Sequence, residues 1–298
     1  MTVLNITNLT KRFGKFKALD GIDLKLQPGE IFGFIGPNGA GKSTTLQIIL
    51  GVLTPSSGNI EIFGKDALTE VVTIHEHLAF VPGDVNLWPN LTGGEVIDFF
   101  LSLHKHANYA KKERLIEQFD LDISKKCGTY SKGNRQKVAL IAALSIDAEL
   151  YIFDEPTSGL DPLMEDVFQS CIKEIKANNG TVLLSSHILS EVEKLCDRVA
   201  IIRKGKIIEK GTLAELRHLT RMNFIVETSH NLHELPNIAG VHNIQQSGSR
   251  YSFDVDSNKL TPLIQYLSQF TLTYLESKPP TLEDLFRRHY GDTIEEGE

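Results

Sequence analysis

The segment Gly36–Thr44 reads GPNGAGKST and fits the spacing G-x-x-x-x-G-K-[ST]. That spacing serves phosphate chemistry. Gly36, Gly39 and Gly41 let the backbone fold tightly around Pro37, Asn38 and Ala40, so that N–H groups of the loop point inward at phosphate oxygens. Lys42 adds a point charge for the β- and γ-phosphates, Ser43 offers a hydroxyl to Mg2+, and Thr44 completes the pattern. A plain glycine-rich turn between strand and helix would not need lysine and serine in that register.

Other segments supply the rest of such a reaction. In LYIFDEP an apolar run places Asp154 and Glu155 at the carboxyl end of a buried strand, where a doubly wound sheet collects its ligands. Asp154 is suited to hold Mg2+ through water. Glu155, next in sequence and turned the other way, is suited to polarise an attacking water. The bland alternative is a strand-end turn that caps the next element. His187 closes a further apolar run, TVLLSSH, from which one imidazole could touch a γ-phosphate and register its presence. In YSKGN, Ser131 caps the helix that follows, or joins Lys132, Gly133 and Asn134 in a donor-rich rim that favours an anion.

Strands and helices alternate around these segments. VLNITNL and IDLKLQ read as strands that turn at Pro28-Gly29, EIFGFIG is a buried strand feeding the glycine-rich loop and the helix KSTTLQIILGVL, and SGNIEIFG is a hairpin. Leu91 to Leu144 is mostly helical, with amphipathic spacing in GGEVIDFFLSLH and KKERLIEQFDL. A helix starts near Pro162, another follows His187, and RVAIIRKGKIIEKG closes as a hairpin. This order predicts an α/β domain over 1–219, with a mainly parallel sheet core, an antiparallel β subdomain and a helical subdomain at about 85–145. Composition shifts near Leu219. Residues 220–298 read as a small α+β unit containing MNFIVETS, KLTPLIQYLSQF and a helix in TLEDLFRRHYG, with a frayed acidic tail, DTIEEGE.

Composition narrows the function further. In 298 residues, 38 acidic side chains outnumber 31 basic ones, for a formal charge of −7, which argues against a broad nucleic-acid surface. Cys127, Cys171 and Cys196 are widely spaced and odd in number, and read as reduced, buried thiols of a cytosolic protein. MTVLNITNLTKRFG lacks the apolar run of a signal peptide, and VALIAALSIDAELYIF is interrupted by Asp147 and Glu149. A protein without its own membrane anchor is expected, so any membrane role comes through a partner.

Taken in order, Phe13, GPNGAGKST, YSKGNRQ, LYIFDEPTSGLD and SSH resemble the nucleotide-binding subunit of an ATP-binding cassette (ABC) transporter, over about residues 2–215. The resemblance implies the P-loop NTPase cassette fold, ATP and Mg2+ as ligands, and ATP hydrolysis. It implies that Phe13 stacks on adenine, unless it is a core aromatic. Ser158, Gly159, Leu160 and Asp161 match the loop that crosses to a second subunit, and His187 matches the switch histidine. Ser131 to Asn134 then face the γ-phosphate held by the other copy's Gly36–Thr44 loop. A homodimer that closes on ATP follows, working with separate transmembrane permease subunits at the inner face of the cell membrane.

The chain also departs from the pattern. The family's signature is usually Leu-Ser-Gly-Gly-Gln; here Tyr130, Lys132 and Asn134 replace three of its members. Where the family carries Gln or Glu to meet Mg2+ and water, this chain has Gly83, so that either Asp84 substitutes from the next position or water fills the gap. Leu87 and Trp88 either dock a short helix of a membrane partner or pack inside the helical subdomain. The YSKG signature, the single cassette and PPTLEDLFRRHYG resemble the bacterial exporter branch that includes drug- and antibiotic-efflux pumps. The C-terminal unit would add dimer contacts or regulation, or serve as a spacer. Two other classes compete. A soluble non-transport cassette ATPase is disfavoured by the charge and by the lack of long coiled coils or a second cassette. A non-hydrolysing regulatory subunit is allowed by Gly83 and opposed by Lys42, Asp154, Glu155 and His187.

Overall fold

The computed structural model describes residues 2–218, 221–256 and 259–278, with 281 and 283. Apart from Thr281 and Glu283, the segment TLEDLFRRHYG, in which a helix is expected, and the acidic tail lie outside these described residues. The chain divides into two compact units, Met1–Gly211 and Thr212–Glu298. The first unit runs β1 (Leu4–Phe13), β2 (Phe16–Leu26), β3 (Ile31–Ile35), α1 (Lys42–Ile49), β4 (Ser57–Ile62), β5 (Lys65–Asp66), α2 (Val71–His75) and β6 (Leu78–Val81). It continues through α3 (Gly93–Ser102), α4 (Tyr109–Gln118), α5 (Lys132–Leu144), β7 (Leu150–Asp154) and α6 (Pro162–Ala177). It closes with β8 (Thr181–Ser186), α7 (Leu189–Leu195), β9 (Arg198–Arg203) and β10 (Lys206–Thr212).

Six strands form the central sheet in the order β10-β9-β3-β8-β7-β6. β3 lies parallel between β8 and β9, and β7 lies parallel between β6 and β8. Every residue of β3, β7 and β8 is buried. Their apolar runs are continuous because a parallel sheet with helical crossovers is covered on both faces. Register then fixes the site. Ile35 stands opposite Ser186, Asp154 opposite Ser185, and Val81 opposite Phe153, so the chain leaves all four strands at one edge. The antiparallel sheet β2-β1-β4-β5 packs onto the same core, in which Leu4, Ile6 and Leu9 meet Phe32, Phe34 and Leu46.

The helices of the intervening segment start at residues chosen for caps. Thr92 and Glu95 form a reciprocal capping box on α3, Asn108 caps α4, and Ser131 caps α5. Each satisfies a backbone N–H that the helix itself leaves unpaired, worth about 1 kcal/mol. Cys127, Cys171 and Cys196 are all buried free thiols, and burial pushes the Cys171 pKa up to about 11.

The second unit contains α8 (Leu213–His218), β11 (Arg221–Thr228), β12 (Val241–Ser247), β13 (Arg250–Asp256), α9 (Leu260–Leu267) and β14 (Leu272–Lys278). Its strands form an antiparallel sheet ordered β12-β13-β11-β14. Phe224 and Val226 of β11 alternate with half-buried neighbours, as do Tyr251, Phe253 and Val255 of β13. This period of two puts one face of the sheet into a core shared with Leu263 and Leu267 of α9. Among the described residues no helix is long and apolar enough to cross a membrane.

Candidate active site

The loop after β3 turns directly into α1, whose cap residue is Gly41 at φ 116 with no side-chain cap. That left-handed angle is open to glycine, and a Cβ there would also stand 2.7 Å from Leu19 Cδ2. With no side chain capping it, the first turn of α1 keeps N–H groups for an anion. Lys42 lies back across the loop, donating to Gly36 O at 2.6 Å and Pro37 O at 3.3 Å. It is 5% exposed, and burial draws its pKa down against the opposing pull of Glu155 and Asp154.

Three strand ends complete the cluster. Ser43 Oγ donates to Asp154 Oδ2 at 3.0 Å, while Asp154 Oδ1 is buried with no hydrogen-bond partner among the described residues. Glu155 has φ 47, and its N–H donates to Ser185 O at 2.9 Å. This left-handed turn directs consecutive carboxylates into one site. Asp154 meets Ser43, whereas Glu155 Oε1 lies 3.7 Å from Lys42 Nζ and 3.2 Å from His187 Nδ1. Gly83 also abuts the cluster, since a Cβ there would stand 3.5 Å from Asp154 Oδ2. Asp84 does not join it by hydrogen bonding: it is exposed, and Asn86 Nδ2 donates to its Oδ2 at 3.3 Å.

The residues of YSKGN and the Ser158–Asp161 segment form a second group. Ser131 Oγ accepts from Asn134 N at 3.2 Å and so caps α5. Lys132 Nζ donates to Ser158 Oγ at 2.7 Å, and Gly133 lies so close to Gly159 that a Cβ would stand 2.4 Å from Gly159 O. Leu160 N donates to Thr157 O, and Asp161 caps α6 by accepting from Met164 N at 3.1 Å. Gln136, a residue inconspicuous in the sequence, joins this group: its buried Nε2 donates to Pro156 O at 2.9 Å. Its signal was its place one turn inside α5, on the side facing the loop.

Phe13 ends β1, half-exposed, with Lys11 Nζ 5.1 Å from its ring centroid. Its hairpin partner β2 is the strand whose Leu19 closes on Gly41. Trp88 is 50% exposed and rests edge-on against Phe99 at 5.4 Å, also near Phe100. Beside it runs an apolar groove of about 380 Å3 lined by Leu78, Phe80, Leu87, Phe100, His104 and Ala139, among others.

Known proteins resemble this chain over most of its length. A family described as "ABC transporter" matches residues 19–158, and one described as "ATP-binding protein DrrA1-3-like, C-terminal domain" matches residues 211–290. The ABC transporter ATP-binding protein NatA of Bacillus subtilis (strain 168) is 34% identical over 236 residues, spanning 75% of this chain and 96% of that protein. The linearmycin resistance ATP-binding protein LnrL of the same organism is 30% identical over 309 residues, spanning 98% of this chain and 99% of that one. A solved ATP-binding subunit of an ABC transporter is 33% identical, with a TM-score of 0.68 over 73% of this chain and 92% of its own. A glycine-rich loop joined to a strand-end Asp-Glu pair and a histidine, in a chain with such relatives, identifies this chain as a member of the ABC transporter ATP-binding proteins.

Proposed function

We propose that two copies of this ABC ATPase close head to tail on ATP and Mg2+, and that closure and reopening drive export through separate transmembrane subunits at the inner face of the membrane. The cargo is proposed to be of the drug or antibiotic kind. The observation that carries the reading is the placement of Glu155 between Lys42 and His187, beside the Ser43–Asp154 pair.

The residues divide the work by chemistry. Gly36 to Thr44 wraps the phosphates, and the Lys42 ammonium, held at the loop by two carbonyls, is free to exchange them for phosphate oxygens. The Ser43 hydroxyl and Asp154 Oδ1, which no described residue pairs, are hard oxygen donors of the kind Mg2+ prefers, so these residues fit the ion. When bound, Mg2+ neutralises charge developing on the β- and γ-phosphates. Glu155 accepts a hydrogen bond from the attacking water, and His187 stands beside it to contact the γ-phosphate. Phe13 is assigned to the adenine face. Position 83 contributes no side chain, so water or the nearby Asp84 completes that side.

Ser131, Lys132, Gly133 and Asn134 are assigned to the partner copy's γ-phosphate, with Ser158 to Asp161 in the same interface. The ties between these two segments support the pairing, because they would arrive at a partner as one surface. The exposed Trp88–Phe99 cluster and its adjoining groove are assigned to a membrane partner's helix. LnrL, a linearmycin resistance protein similar over nearly the whole chain, and the DrrA1-3-like match support the drug-export branch. Gly83 favours a second, non-hydrolysing reading, since the position abutting Asp154 bears no water-holding group.

Glu155→Gln tests the choice. With ATP and Mg2+ the variant is expected to bind nucleotide without turnover and to sediment as a dimer, while ADP leaves it monomeric. A wild-type chain without ATP turnover, alone and with its membrane partner, would install the second reading instead.

A further inference from the structure

Glu191 takes part in none of the steps above. It lies on α7, four residues after His187, and is 6% exposed, which is rare for a carboxylate. Its Oε2 accepts from Ser186 Oγ at 2.9 Å, and the same Ser186 Oγ accepts from Ile188 N at 3.0 Å. The residues on either side of His187 are thus tied to one buried carboxyl.

Glu191 Oε1 is shut away from water, where a carboxyl oxygen left without a donor would be unfavourable. The Thr157 side chain faces this carboxyl from the loop between Glu155 and Asp161 and is itself 5% exposed. Burial raises the Glu191 pKa, while Ser186 and Thr157 work to lower it.

We infer that Glu191 is a positioning residue that couples the His187 turn to the 157–161 loop, its buried carboxyl set between the Ser186 and Thr157 hydroxyls. The loop is already tied to α5 through Lys132–Ser158 and Gln136–Pro156. A contact made at His187 is therefore passed through Glu191 and Thr157 to the segment that carries Ser131. This rests on the ATPase reading given above. No covalent step is involved.

The test is a double-mutant cycle on the full chain, read as steady-state ATP hydrolysis with Mg2+ and as ATP affinity. Thr157→Val is expected to lower kcat about tenfold, the worth of one hydrogen bond to a charged group, with KM within about twofold. Thr157→Ser restores the rate. Combined with Glu191→Gln, Thr157→Val lowers it no further than the more damaging single change. Multiplying effects, failure of serine to rescue, or a raised KM at unchanged kcat would overturn the inference while wild-type turnover leaves the ATPase reading intact. A wild-type chain that does not hydrolyse ATP overturns both. Should Glu191→Gln fail to fold, Ser186→Ala replaces it in the cycle, with the same non-additivity expected and the same multiplication fatal.

Discussion

Gly133→Ala probes the contact between the start of α5 and the 157–161 loop. The added Cβ would stand 2.4 Å from Gly159 O, where ordinary contact begins at 3.4 Å, so the two segments must part by about 1 Å. Neither yields freely. The obstructing atom is backbone, and the loop is held to α5 by Gln136–Pro156 at 2.9 Å and Lys132–Ser158 at 2.7 Å. Overpacking of this kind costs about 1–3 kcal/mol, and the better helix propensity of alanine returns at most about 1 kcal/mol of it. A net loss of about 1–2 kcal/mol corresponds to a fall in Tm of about 2–8 °C for a unit of this size. Differential scanning calorimetry measures that shift, and sedimentation with ATP reports whether the displaced rim still closes a dimer. The expected outcome is a lower Tm, weakened ATP-dependent dimerisation and unchanged ADP binding. A Tm equal to the wild type or above it, with dimerisation intact, would refute the close approach and the single surface built on it.

Other perturbations address separate parts of the molecule. Lys42→Ala removes the ammonium that lies on Gly36 and Pro37, and should abolish ATP binding as measured by calorimetric titration; unchanged affinity would remove the phosphate-loop assignment. His104 is held below its ordinary pKa of 6.5 by burial first, then by His75 and His106, so below that value the unfolded chain takes up a proton that the native chain refuses. Stability is thus complete above about pH 6.5 and declines with acid, and His104→Gln should flatten the fall in urea midpoint between about pH 7 and 5.5. Trp88→Ala should leave ATP hydrolysis by the isolated chain unchanged and weaken co-purification with the membrane subunits by about tenfold or more; equal recovery would return Trp88 to a packing role.

Much of the site was legible because its parts are local. Continuous apolar runs ending in Gly36, Asp154 and His187 announce buried parallel strands, and parallel register brings their ends to one edge without further information. Ser131 before a helical run reads as a cap for the same reason. What escaped the sequence lies across it. Lys132–Ser158, Gln136–Pro156 and the approach of Gly133 to Gly159 join residues 20 or more apart, and depend on how α5 packs against the end of β7. Glu191 escaped too, since a glutamate in ILSEVEK has the ordinary look of an exposed helical position and only tertiary packing buries it. Gly83 was legible as a departure, but the space it leaves beside Asp154 was not.

Glu155 shows how the local and the distant parts depend on each other. Along an extended strand, consecutive side chains point to opposite faces, so Asp154 and Glu155 could not both enter one site from β7 alone. The left-handed φ of 47 at Glu155 removes that obstacle, at a cost of about 1–2 kcal/mol for a residue with a Cβ. The bond from Glu155 N to Ser185 O holds the turn from the β8 side, and the residues that follow are fastened to α5 by Gln136 and Lys132. Strain at the proposed water-polarising residue is therefore maintained by the same loop that carries the proposed dimer contacts. Any movement that loosens that loop also relaxes the turn that aims Glu155 at Lys42 and His187. In the proposed cycle hydrolysis and dimer opening then need no separate linkage, because one short segment bears both.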